Sequence, residues 1–220
     1  MQFDIIHDKG LQCCFVGNKG YTNGELHKHF NLNGVDAELV SVEYALSQST
    51  EWLEQRQFFC GLSDVKLKQH VVAQLKSRNW FSIVDKSSTL PFYSVESMGY
   101  NSLMIGVNTV LDSDTVIGNH CLLFGAFLSH AVTLGDHTVV APFTYISFYT
   151  IGAGVCIGTG VSILGKAGAS NHIVDYCNIT AQSKVTRDLV TPGTYRGNHI
   201  LNTQSSLDRH YILVLKLYLI

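Results

Sequence analysis

The stretch Ile105 to Ile163, IGVNTVLDSDTVIGNHCLLFGAFLSHAVTLGDHTVVAPFTYISFYTIGAGVCIGTGVSI, returns an apolar residue every six positions. Ile105, Leu111, Ile117 and Leu123 are six apart, as are Leu128, Leu134, Val140 and Ile146, and then Ile151, Ile157 and Ile163. Two steps, 123 to 128 and 146 to 151, are five. Gly106, Gly118, Gly135, Gly152 and Gly158 each follow an apolar position, where a chain turning a corner calls for a residue that tolerates positive φ and close backbone approach. Neither a helical period nor strict alternation produces this spacing. A hexapeptide period is the signature of a parallel β-helix, in which each short strand buries one inward side chain and stacks on its equivalent in the next coil. Three such strands make a triangular coil of about eighteen residues. The count here is seventeen, which predicts that one face of each coil is a residue short. An ordinary β-sandwich with glycine turns would not hold a six-residue phase for ten repeats.

Outside this stretch the rhythm changes. Apolar bursts at Phe3 to Ile6, Cys13 to Val16, Leu39 to Val42, Phe58 to Gly61 and Phe81 to Val84 read as short buried strands. Helical patterns lie between them at Tyr44 to Arg56 and Asp64 to Arg78; the second carries an apolar stripe of Leu67, Val71, Val72 and Leu75, with Ser63 as its expected N-cap. Strands alternating with helices predict a small α/β unit with a parallel sheet. The expected organisation is an α/β substrate-binding domain at 1–90, a β-helix at 91–200 and an apolar C-terminal segment at 201–220. The join falls in the Ser-rich stretch around Pro91. After Gly165 the period weakens; Ile173, Ile179 and Val185 restore it, and Val190 to Thr194 reads as a turn leaving the last coil.

Composition narrows the function. Charged residues are 15% and apolar residues 46% of the chain, so part of the surface is expected to be covered by a partner subunit. The net charge of −2, with no basic block, speaks against nucleic-acid binding. Six cysteines without a CxxC pair fit reduced, cytoplasmic thiols: Cys13 and Cys14 on opposite faces of a strand, Cys121 and Cys156 inside the repeat. The start has no signal-peptide pattern, and the apolar run Tyr211 to Ile220 is too short to span a bilayer.

An α/β unit followed by hexapeptide coils resembles the sugar acyltransferases of the left-handed β-helix class, in particular the bacillosamine-pathway and perosamine N-acetyltransferases and the sialic-acid-pathway O-acetyltransferases. The resemblance is carried by Gly125-Ala-Phe-Leu-Ser-His130-Ala-Val-Thr-Leu-Gly135-Asp136, by Val140-Ala-Pro142 and by Val190-Thr-Pro-Gly-Thr-Tyr-Arg-Gly-Asn198. Upstream, Phe59-Cys-Gly-Leu-Ser-Asp64 with Lys66 and Lys68 is similar to the family's strand-to-helix segment. The resemblance covers about residues 38–199 and implies a left-handed coil, a homotrimer with active sites between neighbouring β-helices, and acetyl-CoA as acyl donor.

It also implies roles for individual residues. His130 aligns with the family's catalytic base, and an imidazole titrates close enough to neutrality to take a proton and return it. The backbone N–H groups of Ser147 and Phe148 align with the donors to the thioester carbonyl. Gly165, Lys166 and Ala167, then Ser183 and Lys184, align with the coenzyme groove, and Lys184 and Arg187 with its phosphates. Counting coils puts His130, Ser147, Gly165 and Lys184 one above another, with the short face beside the groove. The family places an acidic residue directly after the histidine, whereas this chain has Ala131; Asp136, Asp114 or a neighbouring subunit is expected to stand in. The family's N-terminal glycine-rich turn is also absent, and Phe15-Val-Gly-Asn-Lys-Gly20 is mis-spaced for it.

The implied activity is N-acetylation of a nucleotide-linked amino sugar for surface polysaccharide such as lipopolysaccharide, with no metal. The choice of an amine rests on Ala131, because a neutral amine needs less help from a base than a hydroxyl does. Sugar O-acetylation is the alternative within the same chemistry. A zinc-dependent carbonic anhydrase on the same coil, using His120, His130, His137 or His172, lacks that family's histidine spacing. A scaffold that has lost its substrate pocket is the non-enzymatic alternative.

Overall fold

The computed structural model describes residues 3–6, 8–17, 35–75, 79–90, 98–99 and 101–201. The expected C-terminal segment at 201–220 therefore falls, after Leu201, outside the described residues, as do Pro91 and Asn18 to Gly20.

The repeat forms a parallel β-solenoid. Its first face stacks Met104–Ile105, Leu122–Leu123, Val139–Val140, Cys156–Ile157, Asn178–Ile179 and Thr194–Arg196 in parallel. The second face stacks Val110–Leu111, Phe127–Leu128, Tyr145–Ser147, Ser162–Leu164 and Lys184–Val185, and the third Val116–Ile117, Thr133–Leu134, Thr150–Ile151 and His172–Ile173. The counted apolar residues point inward and are almost fully buried, from Ile105 and Leu123 to Ile163 and Val185. A coil precedes the first counted one, because Val84 pairs with Ile105, Thr89 with Val110 and Met98 with Ile117. The stack thus reaches back across the expected boundary at residue 90.

Three details of the repeat differ from expectation. The five-residue steps do not share a face: 123 to 128 spans the corner from first to second face, and 146 to 151 the corner from second to third. Only the latter adjoins the expected groove. The glycines that follow apolar positions are not in the left-handed region; they are required because a Cβ at Gly118 would lie 2.5 Å from Asp136 Oδ1, and one at Gly135 2.6 Å from the Ala153 nitrogen. The left-handed corners are instead held largely by other residues, among them His120, Ala131, His137, Phe143, Phe148 and Tyr176. Third, not every coil is seventeen: Ile151 pairs with Ile173 and Ile163 with Val185, a step of 22 residues, and the coil before the repeat steps 21 from Val84 to Ile105.

The N-terminal unit is a three-stranded parallel sheet in the order Ala37–Val40, Gln12–Val16, Arg56–Cys60. The other two expected strands leave it: Phe3–Ile6 runs antiparallel to Ser82–Asp85, and both extend the solenoid's first face. The helical pattern from Tyr44 resolves into two short helices, Val42–Leu46 capped by Ser41 and Thr50–Glu54 capped by Ser49, before the strand that starts at Arg56. The third helix is Val65–Leu75, and its cap is Asp64, whose carboxylate accepts from the Leu67 N–H at 2.9 Å, one residue later than the expected Ser63.

The sheet alternates as a two-sided layer should. Cys14, Val16, Phe58 and Cys60 pack under the helices with Val71 and Leu75. Cys13, Phe15 and Phe59 pack the other way, onto Met104, Leu122 and Val139 on the outside of the solenoid's first face. Cys13 and Cys14 are therefore divided as expected, and Cys121 lies inside the solenoid, but Cys156 faces outward towards the N-terminal sheet. All six cysteines are free thiols. No described helix is long and apolar enough to cross a membrane.

Candidate active site

The corner between the second and third faces gathers the chemistry. Each coil leaves the second face through its inward residue, so the positions two residues on form a column: His130 after Leu128, Phe148 after Ile146, Gly165 after Ile163 and Arg187 after Val185. The ladder joins the column directly: the Phe148 N–H donates to the His130 carbonyl at 2.8 Å, and the Gly165 N–H to the Ser147 carbonyl at 2.9 Å. Lys184 is not in this column. It sits on the second face above Ser162, Tyr145 and Phe127, so Arg187 rather than Lys184 completes the line above His130. Ser183 is buried at the corner between first and second faces, where its hydroxyl shares a hydrogen bond with Thr180.

His130 has a carboxylate partner that sequence reading missed. Its Nδ1 lies 2.9 Å from Asp112 Oδ2, on the coil below. An ionised carboxylate only accepts, so Nδ1 carries the hydrogen and Nε2 keeps its lone pair for an incoming proton. Asp136, one of the expected substitutes, is used elsewhere, where its carboxylate accepts from the Asn119 N–H at 2.7 Å. Asp114, the other, is close by without being the partner: one ligand atom from each of Asp112, Asp114 and His130 falls within 4.8 Å of the others. The signal for Asp112 was present in the repeat. It directly follows the inward Leu111, so it projects from the same corner one coil earlier, where a partner need not be a sequence neighbour.

Of the two amides expected to hold a carbonyl, that of Phe148 is engaged in the ladder. Phe148 spends its N–H on His130, and its own carbonyl accepts from Asn171 Nδ2 at 2.8 Å. The Phe148 ring lies 6.0 Å from the imidazole of His130.

The extra residues of the long coil emerge at this same corner, as the loop Gly165 to Asn171 that separates the Ser162–Leu164 and His172–Ile173 strands. Gly165 is pressed so close to the coil below that a Cβ would meet the Phe148 carbonyl at 2.1 Å. Asn171 pins the loop by donating also to the carbonyls of Lys166, at 3.0 Å, and Ala169, at 3.3 Å. Loop and coil flank an open cleft of about 270 Å³ lined by Ala131, Phe148, Tyr149, Thr150 and residues 168–171, of which Ala131, Thr150 and residues 168–170 are exposed.

His120, His137 and His172 do not join His130 within the chain. His120 and His137 stack at the corner between third and first faces, 4.9 Å apart and 10° from parallel, under the edge of Trp80. Burial keeps both neutral, pushing His120 down to about 3 and His137 to about 4, with the buried Lys68 adding to each shift. Lys68 donates from Nζ to the His120 carbonyl at 2.8 Å and is itself pushed down by burial. His172 pairs with Asp188 at 3.1 Å on the third face. The four imidazoles thus occupy three separate places, and any zinc centre that used three of them would have to be assembled from several chains.

No protein-family model matches the chain. Over 116 residues it is 32% identical to a UDP-3-O-acylglucosamine N-acyltransferase of Albidiferax ferrireducens, a match that spans 50% of this chain and 34% of that protein. Among solved structures it superposes on PerB from Caulobacter crescentus, in complex with CoA and GDP-perosamine, with a TM-score of 0.71 at 15% identity, over 87% of this chain and 97% of that one. The acetyltransferase domain of PglB from Neisseria gonorrhoeae, in complex with acetyl coenzyme A, gives 0.67 at 14%, over 87% and 99%. WeeI from Acinetobacter baumannii gives 0.67 at 15%, over 87% and 100%. At such identities the likeness establishes the fold, and it is the fold of the family that the sequence resembles.

Proposed function

We propose that this chain is an acetyl-CoA-dependent acyltransferase acting on a nucleotide-linked amino sugar. The observation that carries the reading is the His130–Asp112 pair at 2.9 Å, at the corner where the ladder stacks Phe148 directly above His130. Reaction begins with the acceptor amine attacking the thioester carbonyl while His130 Nε2 takes its proton. The tetrahedral intermediate then collapses, the C–S bond breaks, and the imidazolium returns the proton to the leaving thiolate, giving an amide and a free thiol. Asp112 holds the imidazole in the tautomer that accepts at Nε2 and stabilises the imidazolium between the two transfers. The acyl carbonyl lies at the Ser147–Phe148 corner, and for the Phe148 N–H to serve as its donor it would have to exchange its bond to the His130 carbonyl for one to the oxyanion.

Coenzyme A runs up the column past Gly165, Lys166 and Ala167. Arg187 meets its phosphates, with Lys184 and Ser183 set to one side. The amino sugar's nucleotide is assigned to the C-terminal ends of the N-terminal strands, the usual ligand position in a parallel sheet, where Gly17 and Gly61 follow adjacent strands. A homotrimer is part of the proposal: Phe127 and Tyr145 stack at 5.4 Å on the outside of the second face, 43% and 38% exposed, and a second copy would cover them.

Asp112 changes the weight of the alternatives. Preference for an amine rested on the missing carboxylate, so that argument lapses, and N-acylation now rests on the N-acyltransferase matched in sequence and on PerB, whose complex contains the amino sugar GDP-perosamine. The scaffold reading loses the same support. The test is to incubate the protein with acetyl-CoA and a panel of nucleotide-linked amino sugars and their hydroxyl counterparts, following thiol release. Release with an amino sugar is expected; release with hydroxyl sugars alone would make it an O-acyltransferase, and release with none would end the enzymatic reading.

A further inference from the structure

We infer that the cavity beside His130 is an acyl-chain pocket, and that this chain transfers acyl groups several carbons longer than acetyl in addition to acetyl itself. The inference rests on the acyltransferase reading above and names the substrate class of that same site.

Three observations place the tail there. The cavity opens next to the reacting position, since its wall includes Ala131, adjacent to His130, and Phe148, whose ring faces the imidazole at 6.0 Å. One side of it is the loop of the 22-residue coil, and the spacing grows from 17 to 22 residues at this corner. Chemically, the lining carries no charge. Ala131, Phe148, Gly168 and Ala169 are apolar, and Thr150 and Ser170 contribute neutral hydroxyls. Burial pushes Tyr149 up to about 12, so it too is neutral. The Asn171 amide is already spent on the carbonyls of Phe148, Lys166 and Ala169.

The substitution that looked like a defect fits this arrangement. A carboxylate at position 131 would place a charge on the exposed rim of the cleft, which a bound aliphatic tail would then strip of water. With Asp112 orienting the ring from the coil below, the side of His130 facing the loop is left free for an apolar group. The volume suits a chain: about 270 Å³ is some nine times the roughly 30 Å³ share of one water molecule. An acetyl group leaves most of that space unfilled.

The experiment compares acetyl-, butanoyl-, hexanoyl- and octanoyl-CoA as donors to one amino-sugar acceptor by thiol release, for the full chain and one variant. Ala169→Phe fills the cleft from the loop, and thermal unfolding checks that it still folds. For the unaltered protein, kcat/KM with hexanoyl-CoA is expected to equal or exceed that with acetyl-CoA. Ala169→Phe is expected to lower the hexanoyl value about tenfold, the share of roughly two buried methylenes, with acetyl changed less than about twofold. A protein that uses acetyl-CoA and rejects the longer donors overturns the pocket and leaves the acyltransferase reading standing. An equal loss for all donors in Ala169→Phe also overturns it, because the cavity would then hold the pantetheine arm common to them. Thiol release with no donor removes both.

Discussion

Two corners of the same coil carry histidines, and they differ in almost everything that makes an imidazole reactive. At one, His120 and His137 stack in the left-handed region beneath Trp80, close to the buried Lys68, with no carboxylate on Nδ1 of either ring. At the other, His130 is 61% exposed, its Nδ1 is held by Asp112, and a cavity opens beside it. The first pair are packing elements held neutral, their Nδ1 atoms buried; the second has a carboxylate partner and room for a ligand. The difference comes from what covers each corner. The Val65–Leu75 helix lies over the first, with Gln69 reaching Tyr176 and Val65 meeting Gly154, and its Lys68 locks onto the His120 carbonyl.

The largest effect expected is on turnover. His130→Ala removes the proposed proton acceptor and is expected to lower kcat about 10³-fold, within the usual range for a general base, at unchanged thermal stability. His137→Asn keeps a residue that tolerates the left-handed backbone and is expected to leave kcat within about twofold. Equal losses from the two would erase the distinction between the corners.

Next comes the acid. Asp112→Asn keeps the shape but no longer fixes the imidazole tautomer, and a fall in kcat of about 10²-fold with KM for the acyl donor unchanged is expected. Asp136→Asn provides the contrast: it weakens the bond to the Asn119 N–H, so about 1 kcal/mol of stability should go while kcat stays. If Asp136→Asn lowered kcat and Asp112→Asn did not, the orienting acid would have been misassigned.

These pairings show which parts of the molecule could be read from its sequence. The solenoid could, because a six-residue period is a property of every coil at once, and single errors do not shift it. The flanking residues pointed to His130 as the candidate base. Asp112 was not, because the expectation sought the acid at the next residue, whereas a solenoid makes residues 17 or 18 apart into neighbours. The same geometry misled the count for Lys184: the long coil added its residues between Leu164 and His172, and only the ladder pairing shows that Arg187 is the residue brought above Gly165. In the N-terminal unit the apolar bursts were real strands, but a burst does not say which sheet it joins. Phe81 to Val84 were read with the α/β unit, yet Ile83 and Val84 pair with Met104 and Ile105 in the first coil.

The last effect belongs to the covered corner and appears only in stability. His120 and His137 stay neutral in the fold down to about 3 and about 4, while an unfolded chain takes protons on both near 6.5. Below that point the unfolded state binds more protons, so stability falls as pH drops from about 6.5 towards 4 and is fully present above it. Each imidazole contributes a slope of up to about 1.4 kcal/mol per pH unit in that window. Carboxylates held down by hydrogen bonds, such as Asp8 with Gln57, act lower, as pH falls through the ordinary carboxylate range. Urea unfolding at pH 7, 6 and 5 should therefore isolate the histidine term. Replacing His120 by Asn, which suits its φ of 57°, should remove about half of the slope and leave the remainder to His137. A slope that survives both His120→Asn and His137→Asn would mean that this corner takes up protons without opening. The contrast with the solvent-facing His130 would then rest on Asp112 and the cavity alone.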